Sequence, residues 1–210
     1  MTQLYRLDAT AAEIAARFGA RVGEDPWAGG YVAPLKFAPV VTAGREFIAG
    51  PRPATRALQP RMTPRLWGVL PPPSSDDPTR RITSVRNTDS PFWIGNLRNS
   101  EFRCIVPATA VMEWGSGTDY EGRRLRHWFA PPGQRVFALA GVWKDEEVPA
   151  FALLSADASG AVSDAGCRTM PVVLADDEAA RQRWLHGSWD VAMQAVRNPA
   201  QLEELAENPS

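Results

Sequence analysis

A chain of 210 residues with a formal net charge of −1 and 44% hydrophobic residues has the size and composition of one large soluble domain or two small ones. No apolar run approaches the ~20 residues that a membrane-spanning helix needs, and the start MTQLYRLDAT lacks the basic-then-apolar order of a signal peptide. No segment resembles a linker, so we expect a single cytoplasmic domain over residues 1–210 without a membrane anchor. The two cysteines and two histidines lack the spacing of a disulfide framework or a zinc site, so neither a metal nor another cofactor is predicted.

Local signals predict both helices and strands. Thr10 and Glu13 form a capping box at the start of the first helix, and Ser90 followed by Pro91 is a typical start of the second. In chain order, the predicted elements are a helix at 10–18, an extended run at 37–42, irregular backbone at 51–66, a loop at 71–80, a helix at 91–99, strands at 103–114, 126–130, 135–143, 149–157 and 170–175, and helices over 176–207. This order predicts an α+β domain, with a mainly antiparallel β-sheet or partly closed β-barrel, flanking helices, and a peripheral helical tail at 198–210.

Positive charge is concentrated in the first two-thirds of the chain. Residues 1–144 carry a net charge of +7, and residues 145–210 carry a net charge of −8. Arginine supplies nearly all of the positive charge, and its planar guanidinium suits bidentate contacts with phosphate. The asymmetry indicates that nucleic acid or another anion binds the first two-thirds of the chain. Ordinary surface arginines in an arginine-rich composition are the alternative.

A carboxylate, Glu113, stands near the end of the apolar run RCIVPATAVMEW at 103–114. Burying a lone carboxylate is costly unless the group is paired or used in chemistry. Glu113 is therefore the strongest candidate for a catalytic residue. A solvated position at the end of a strand is the alternative.

Seven groups of motifs follow one another along the chain. They are MTQLYRL at the start, YVAP at 31–34 with APVV at 38–41, LWGVLP at 66–71, VRN at 85–87 with SPFW at 90–93, RCIVP through EW at 103–114, FALAGVW at 137–143, and TMPVVL at 169–174 with WL at 184–185. Their order and spacing resemble the SRAP family, the SOS-response-associated peptidases, also described as abasic-site-processing proteins. The resemblance extends over most of the chain.

The resemblance implies a sensor of abasic sites in single-stranded DNA. In the family, removal of the initiator methionine frees a cysteine, whose amine and thiol capture the sugar aldehyde in a thiazolidine ring and so form a DNA–protein cross-link. A glutamate, here Glu113, assists with a histidine and an asparagine, and family members also look able to cleave their own first residue. The implied DNA-binding residues are Pro34, Trp67, Arg86, Arg103, Trp114 and Arg168. Trp67 is expected to be exposed, because a glycine and prolines follow it.

Three of the four catalytic positions that the resemblance marks are substituted. Thr2 stands at the cysteine position, Ser84 at the asparagine position and Gly166 at the histidine position. Gly166 has no side chain and cannot transfer a proton. Glu113 is the member of the set that is kept, so the sequence leaves open whether the protein is an enzyme.

Thr2 nevertheless leaves one chemical route open. Methionine is normally removed before a small residue, and a free α-amine with a reference pKa of about 8 can attack an aldehyde. A threonine hydroxyl would close an oxazolidine, which hydrolyses more easily than a thiazolidine, so the link would be transient. Glu113 would act as acid or base if burial raises its pKa. We interpret Cys167 as a small buried hydrophobe and His127 as a strand histidine without a catalytic task.

Three functions stay open at this point. In the first, the protein binds single-stranded or abasic-site DNA in a DNA damage response, with cross-linking weakened or lost. In the second, it is an active abasic-site-processing enzyme that uses the Thr2 amine and Glu113. In the third, it is a pseudoenzyme whose groove binds a protein or a small anion. The first two predict a positive face near residues 45–103 and a location at the nucleoid.

Overall fold

The computed structural model describes residues 2–22, 27–44, 59–197 and 199–206. The strands are β1 Leu4–Leu7, β2 Gly30–Val32, β3 Phe37–Thr42, β4 Arg61–Trp67, β5 Ser84–Val85, β6 Arg103–Ala108, β7 Ala110–Thr118, β8 Arg124–Ala130, β9 Phe137–Lys144, β10 Ala150–Asp157, β11 Thr169–Pro171 and β12 Glu203–Glu204. The helices are α1 Ala11–Phe18, α2 Pro91–Arg98, α3 Gly160–Asp164, α4 Glu178–His186 and α5 Trp189–Arg197, with a 3-10 turn at Ser100–Phe102.

These strands build two mostly antiparallel sheets in a single α+β domain, which confirms the predicted fold class. The first sheet has the order β12-β8-β7-β1-β2, and the second has the order β11-β10-β4-β3-β6-β9, with β5 beside β10. β10 pairs with β9 as well as with β4. Strand β10 therefore pairs with both ends of the series β4-β3-β6-β9 in the second sheet. The two sheets together do not form one closed barrel.

The helices that the local signals predict are present. In α1, the Thr10 hydroxyl accepts from the N–H of Glu13 at 3.3 Å, and the Glu13 carboxylate accepts from the N–H of Thr10 at 2.8 Å. In α4, the Asp177 carboxylate accepts from the N–H of Ala180 at 2.6 Å. Each cap satisfies a backbone N–H that the first turn of a helix leaves without a partner. The packing face of α4 includes the buried Trp184, as predicted.

The run predicted as one strand at 103–114 is in fact two, β6 and β7. The chain turns at Thr109, whose hydroxyl donates to the carbonyl of Arg6 at 3.0 Å and accepts from the N–H of Asp8 at 3.1 Å. This turn passes the chain from the second sheet to the first. Hydrophobicity does not reveal the break, because the residues on both sides of it are buried.

The segment Arg61–Trp67, expected to be irregular, is strand β4. It pairs with β3, and Pro64 lies opposite Pro39. The two missing N–H groups therefore fall at the same step of the ladder, and tertiary pairing overrides local propensity. Residues 51–58 of the segment predicted as irregular lie outside the described residues. The same is true of residues 45–58 of the expected positive face.

The described part of the helical tail predicted at 198–210 is not helical. It contains β12, which pairs with the edge of β8, and the N–H of Leu205 donates to the carbonyl of Trp128 at 2.8 Å. The unpaired edge of β8 offers this segment a row of backbone partners. Residues 199–206 thus complete the sheet that carries Glu113.

Strand β7 has two faces with different surroundings. Val111 and Glu113 share one face, and Met112 and Trp114 share the other, because side chains alternate along a strand. The first face packs on the main hydrophobic core, and the second packs with Trp128 in a small separate cluster. The carboxylate therefore points to the interior of the domain.

Candidate functional site

Glu113 is buried, with 1% of its surface exposed. The hydroxyl of Thr2, itself 3% exposed, donates a hydrogen bond to Oε1 of Glu113. Burial raises the pKa of the Glu113 carboxyl, and the hydrogen bond from Thr2 partly opposes this shift. A carboxyl with a raised pKa exchanges protons closer to neutral pH, as general acid–base catalysis requires. Burial excludes the alternative of a solvated strand end.

Sheet pairing brings Thr2 to Glu113 across 111 positions of sequence. β1 pairs antiparallel with β7, and Leu4 lies opposite Met112. The residues that precede β1 therefore reach the middle of β7. The contact depends on the two strands and not on a local loop.

On its other side, β7 places His127 opposite Glu113 in the ladder with β8. Directly opposed residues of antiparallel strands project to the same face, with Cβ atoms about 4.5–5.5 Å apart. Nδ1 of His127 lies 2.6 Å from Oε1 of Glu204 in β12. A Cβ at Gly115 would lie 2.6 Å from Nε2 of His127, so the glycine leaves the room that the imidazole occupies.

An open hollow of about 590 Å³ adjoins the site. Its lining includes Gln3, which follows Thr2 in the chain, and two residues predicted for the site, Pro34 and Ser84. Arg80 and Arg81 also line it and supply positive charge. The side chain of Arg80 is exposed and therefore accessible to an anion at the rim.

A second hollow, of about 670 Å³, lies on β7, β8 and the turn between them. It is lined by Trp114, Asp119, Arg123, Arg124, Leu125 and Arg126. Nε1 of Trp114 donates to Oε1 of Gln3 at 3.1 Å, so the two hollows meet at this pair of side chains. The guanidinium of Arg124 lies 5.8 Å from the centre of the Trp114 ring. We refer to the two hollows and the Gln3–Trp114 pair between them as the basic groove.

The sequence model of a family described as SOS response associated peptidase (SRAP) matches residues 1–209. The chain belongs to the SRAP family. Its membership associates the protein with the response to DNA damage. No curated protein matches the chain.

Three solved structures are similar to this SRAP chain. They are a protein from Bordetella bronchiseptica (TM-score 0.70, 14% identity, covering 98% of this chain and 100% of that chain), a protein from Bacteroides thetaiotaomicron (TM-score 0.67, 16% identity, 96% and 91%), and a phage-related protein from Bordetella bronchiseptica (TM-score 0.69, 14% identity, 98% and 94%). At these identities the likeness concerns the fold.

The three substituted positions that the SRAP resemblance marks as catalytic lie in three different environments in this structure. Thr2 contacts Glu113 directly, and Ser84 lies in the first hollow of the basic groove. Gly166 follows α3 with a φ of +75°, and a Cβ there would collide with Oγ of Ser116. A histidine at 166 would therefore require the Ser116 side chain or the loop itself to move, in addition to a left-handed backbone.

Cys167 is buried next to this loop. Burial, reinforced by the nearby Glu113 carboxyl, raises the pKa of the Cys167 thiol to about 11. The thiol therefore stays protonated at neutral pH and is a poor nucleophile. This agrees with its interpretation as a small buried hydrophobe.

Two residues assigned to DNA binding from the SRAP resemblance are buried instead. Arg103 is 0% exposed, its guanidinium donates to the carbonyls of Leu97 and Gly187, and burial lowers its pKa to about 10. It joins α2 and α4 to β6 and cannot reach a phosphate without breaking these bonds. Trp67, expected to be exposed, is buried and donates through Nε1 to the carbonyl of Thr83 at 3.0 Å.

Arg86 and Arg168 are exposed and lie at the same end of β10. Arg86 forms an ion pair with Asp157, and the carbonyl of Arg168 accepts from the N–H of Ala158 at 3.1 Å. Both side chains remain available to a phosphate, since an exposed ion pair contributes little to stability. Their contact with DNA stays a prediction.

Sequence reasoning missed most of the second hollow and the position of His127. The run Arg123-Arg124-Leu125-Arg126 was the available signal for the hollow. No local signal places His127 beside Glu113, because the pairing of β7 with β8 decides it.

In the described residues no three His, Cys, Asp or Glu side chains converge on a metal position, and no helix is long and apolar enough to cross a bilayer.

Proposed function

We propose that this protein binds single-stranded DNA at abasic sites and captures the exposed aldehyde only transiently, through the amine of Thr2. One observation carries the proposal: the buried Thr2–Glu113 contact lies next to the Gln3–Trp114 pair, where the two hollows of the basic groove meet. A candidate nucleophile, an acid–base group and a surface for an anionic strand therefore share one place. Durable cross-linking is weakened, because no thiol stands at position 2.

The side chains of the basic groove suit the backbone and the bases of a single strand. Arg123, Arg124 and Arg126 are exposed, and guanidinium groups contact phosphates in bidentate geometry. The partly exposed ring of Trp114 offers a stacking surface. Stacking on an aromatic side chain contributes roughly 1–3 kcal/mol per base and tolerates any sequence. The groove therefore favours a strand with unpaired bases and no particular sequence.

The covalent step follows from the chemistry of an amine beside a carboxyl. Excision of Met1 frees the amine of Thr2, which adds in its free-base form to the aldehyde carbon of the opened sugar. The carbinolamine then loses its hydroxyl as water: protonated Glu113 supplies a proton to the leaving oxygen, and the resulting carboxylate takes the proton that the nitrogen gives up as the imine forms. The threonine hydroxyl can close only an oxazolidine, which opens again readily, so the link reverses.

Reductive trapping tests the covalent step. The protein is mixed with a fluorescent single strand that carries one abasic site, in the presence of cyanoborohydride. We expect a covalent adduct on a denaturing gel, with the oligonucleotide attached to the peptide that begins at Thr2. A strand with a tetrahydrofuran analogue, which has no aldehyde, is the control and should give no adduct. Absence of an adduct with the aldehyde strand would rule out capture.

Fluorescence anisotropy tests binding separately, on the tetrahydrofuran strand. We expect an affinity that falls with salt, with a log–log slope of about −0.7 for each phosphate contacted. Absence of salt-dependent binding would rule out DNA as the ligand. It would then favour the pseudoenzyme that binds a protein or a small anion.

A further inference from the structure

We propose that His127 is a second proton-transfer residue of the Thr2–Glu113 site, and that Glu204 holds its imidazole in the working tautomer. The assignment rests on the proposed capture of an aldehyde at Thr2. It replaces the sequence-based interpretation of His127 as a strand histidine without a catalytic task. The pairing of β8 with β7 and with β12 supports the assignment.

The first argument is the placement of the imidazole. The β7–β8 ladder keeps its register from Val111 to Trp114 and sets His127 directly opposite Glu113. Both side chains project to the same face of the sheet. Since Thr2 contacts Glu113 on this face, a small carbonyl compound at Thr2 lies within reach of both the carboxyl and the imidazole.

The second argument is the state of the two ring nitrogens. Nδ1 of His127 lies 2.6 Å from Oε1 of Glu204, and a carboxylate can only accept, so Nδ1 carries the hydrogen. In the neutral imidazole, Nε2 is then the proton acceptor. Nε2 is buried, and the described part of the chain contains no hydrogen-bond partner for it. Buried polar atoms normally have a partner, so Nε2 is placed to accept a hydrogen bond or a proton from a bound water or ligand.

The third argument is the room made for the ring. A Cβ at Gly115 would lie 2.6 Å from Nε2 of His127 and 2.9 Å from the carbonyl oxygen of Ala165. The loop after α3 therefore packs at the same point of β7 as the imidazole.

The charged and titratable groups around the imidazole come from four parts of the fold. They are Glu113 in β7, Glu204 in β12, Arg124 in β8 and Cys167 after α3. The guanidinium of Arg124 donates to the carbonyl of Gly115 at 3.1 Å and has no acceptor atom. The Cys167 thiol keeps its proton at neutral pH, and Glu204 is engaged with Nδ1. Glu113 and His127 are therefore the pair in this group that can exchange protons with a ligand.

The two residues divide the proton transfers of imine formation. The Thr2 nitrogen forms a bond to the aldehyde carbon, and the electron pair of the C=O bond moves to oxygen. Nε2 of His127 takes one proton from this nitrogen and protonated Glu113 gives one to the oxygen, which yields the neutral carbinolamine. His127 then gives its proton to the hydroxyl, which leaves as water, and the Glu113 carboxylate takes the remaining proton of the nitrogen as the C=N bond forms. The reverse transfers hydrolyse the imine, so neither residue is consumed.

The rate of adduct formation under cyanoborohydride tests the assignment. For His127→Ala we expect the rate to fall by about 10²-fold, the usual contribution of a general acid or base. The affinity for the tetrahydrofuran strand should not change. Added imidazole should restore part of the rate, because the small base can enter the space that the side chain leaves. A purely structural role would not produce this rescue.

Glu204→Gln and His186→Gln complete the test. Glu204→Gln keeps the shape of the side chain but replaces the carboxylate with a neutral amide, which is a weaker acceptor and can also donate to Nδ1. It should slow capture by about 10-fold, a smaller effect than loss of the base. His186, on α4 away from the site, is the matched control and should leave the rate unchanged. If the wild type forms adducts and both His127→Ala and Glu204→Gln do so at its rate, the assignment is wrong. If the wild type forms none, the proposed capture fails and the assignment with it.

Discussion

At position 2, threonine keeps the amine of an N-terminal nucleophile but offers oxygen where cysteine offers sulfur. Its hydroxyl donates to the buried carboxyl of Glu113, so the side chain is already held at the place where a ring would close on the imine. Sulfur adds to an imine carbon and stays there, whereas oxygen leaves easily. The element that closes the ring, oxygen or sulfur, therefore separates transient from durable capture in this site.

We expect Thr2→Cys to convert transient capture into a stable cross-link. The thiol adds to the imine carbon and its proton passes to nitrogen, which closes a thiazolidine. The measurement is a denaturing gel of the protein with an abasic single strand, heated and without reductant. Thr2→Ser, which keeps oxygen, should give no stable band. A thiol variant whose adduct is no more durable than that of Thr2→Ser would contradict the placement of residue 2.

Glu113 gives the stability of the protein a pH dependence of defined sign. Burial raises the pKa of its carboxyl above the ordinary value of 4.5, so the folded protein holds this proton more tightly than the unfolded chain does. The contribution is therefore fully present below about pH 4.5 and is lost as the pH rises through the raised pKa. Urea denaturation at about pH 5 and about pH 8 measures it.

We expect Glu113→Gln to gain stability relative to the wild type between these two pH values, because glutamine cannot ionise. It keeps an oxygen that accepts from Thr2, so the hydrogen bond survives. Glu121→Gln, at an exposed position in the turn before β8, is the control and should show no such trend. A constant difference between Glu113→Gln and the wild type across the range would contradict the burial of an ionisable group.

At the scale of elements, the loop after α3 closes the site against β7. Gly166 has a φ of +75°, a left-handed conformation that favours glycine, and a Cβ there would meet Ser116. Gly133 has a φ of +71° but nothing within 4 Å of its Cβ position. A side chain at either glycine would have to adopt the same unfavourable left-handed backbone. Only at Gly166 would its Cβ also collide with a residue of β7.

Gly166→Ala should therefore destabilise the fold more than Gly133→Ala does. The left-handed backbone costs roughly 1–2 kcal/mol for alanine at either position, and at 166 the loop or Ser116 must also move. The free energy of unfolding from urea titration measures both variants. Equal losses would mean that the loop does not press on β7.

At the scale of the whole molecule, the fold exposes some of the arginines and buries others. Arg123, Arg124 and Arg126 lie exposed in the basic groove, whereas Arg103 is used inside the fold. A net charge therefore overstates the number of arginines that an anion can reach. Counterion release depends on the accessible ones.

We expect Arg126→Ala to weaken binding of single-stranded DNA and to make its log–log salt slope less steep by about 0.7, the value of one phosphate. Arg126 is exposed, so its loss should not affect folding. Arg197→Ala, which removes an exposed arginine of α5 in the acidic third of the chain, is the control. Anisotropy titrations at several salt concentrations measure both. Equal slopes for the two variants would place the DNA elsewhere.

The sequence by itself determined the features that depend on neighbouring residues or on the order of motifs. The cap of α1 uses Thr10 and Glu13, three positions apart, and hydrogen bonds of this kind form within one turn of chain. The family followed from motif order, and Glu113 followed from one carboxylate in an apolar run. Each of these signals is local, so one chain suffices to see it.

Only the tertiary structure decided which side chains meet and which are buried. Arginine at 103 reads like any phosphate-binding arginine, but its carbonyl partner at Gly187 is 84 positions away. The same holds for His127, which meets Glu204 across 77 positions and Glu113 across a strand pair. The packing of α4 on β6 sets the first contact and the pairing of distant strands sets the others, and both depend on how all the elements share one core. These contacts therefore cannot be predicted from the composition of each segment alone.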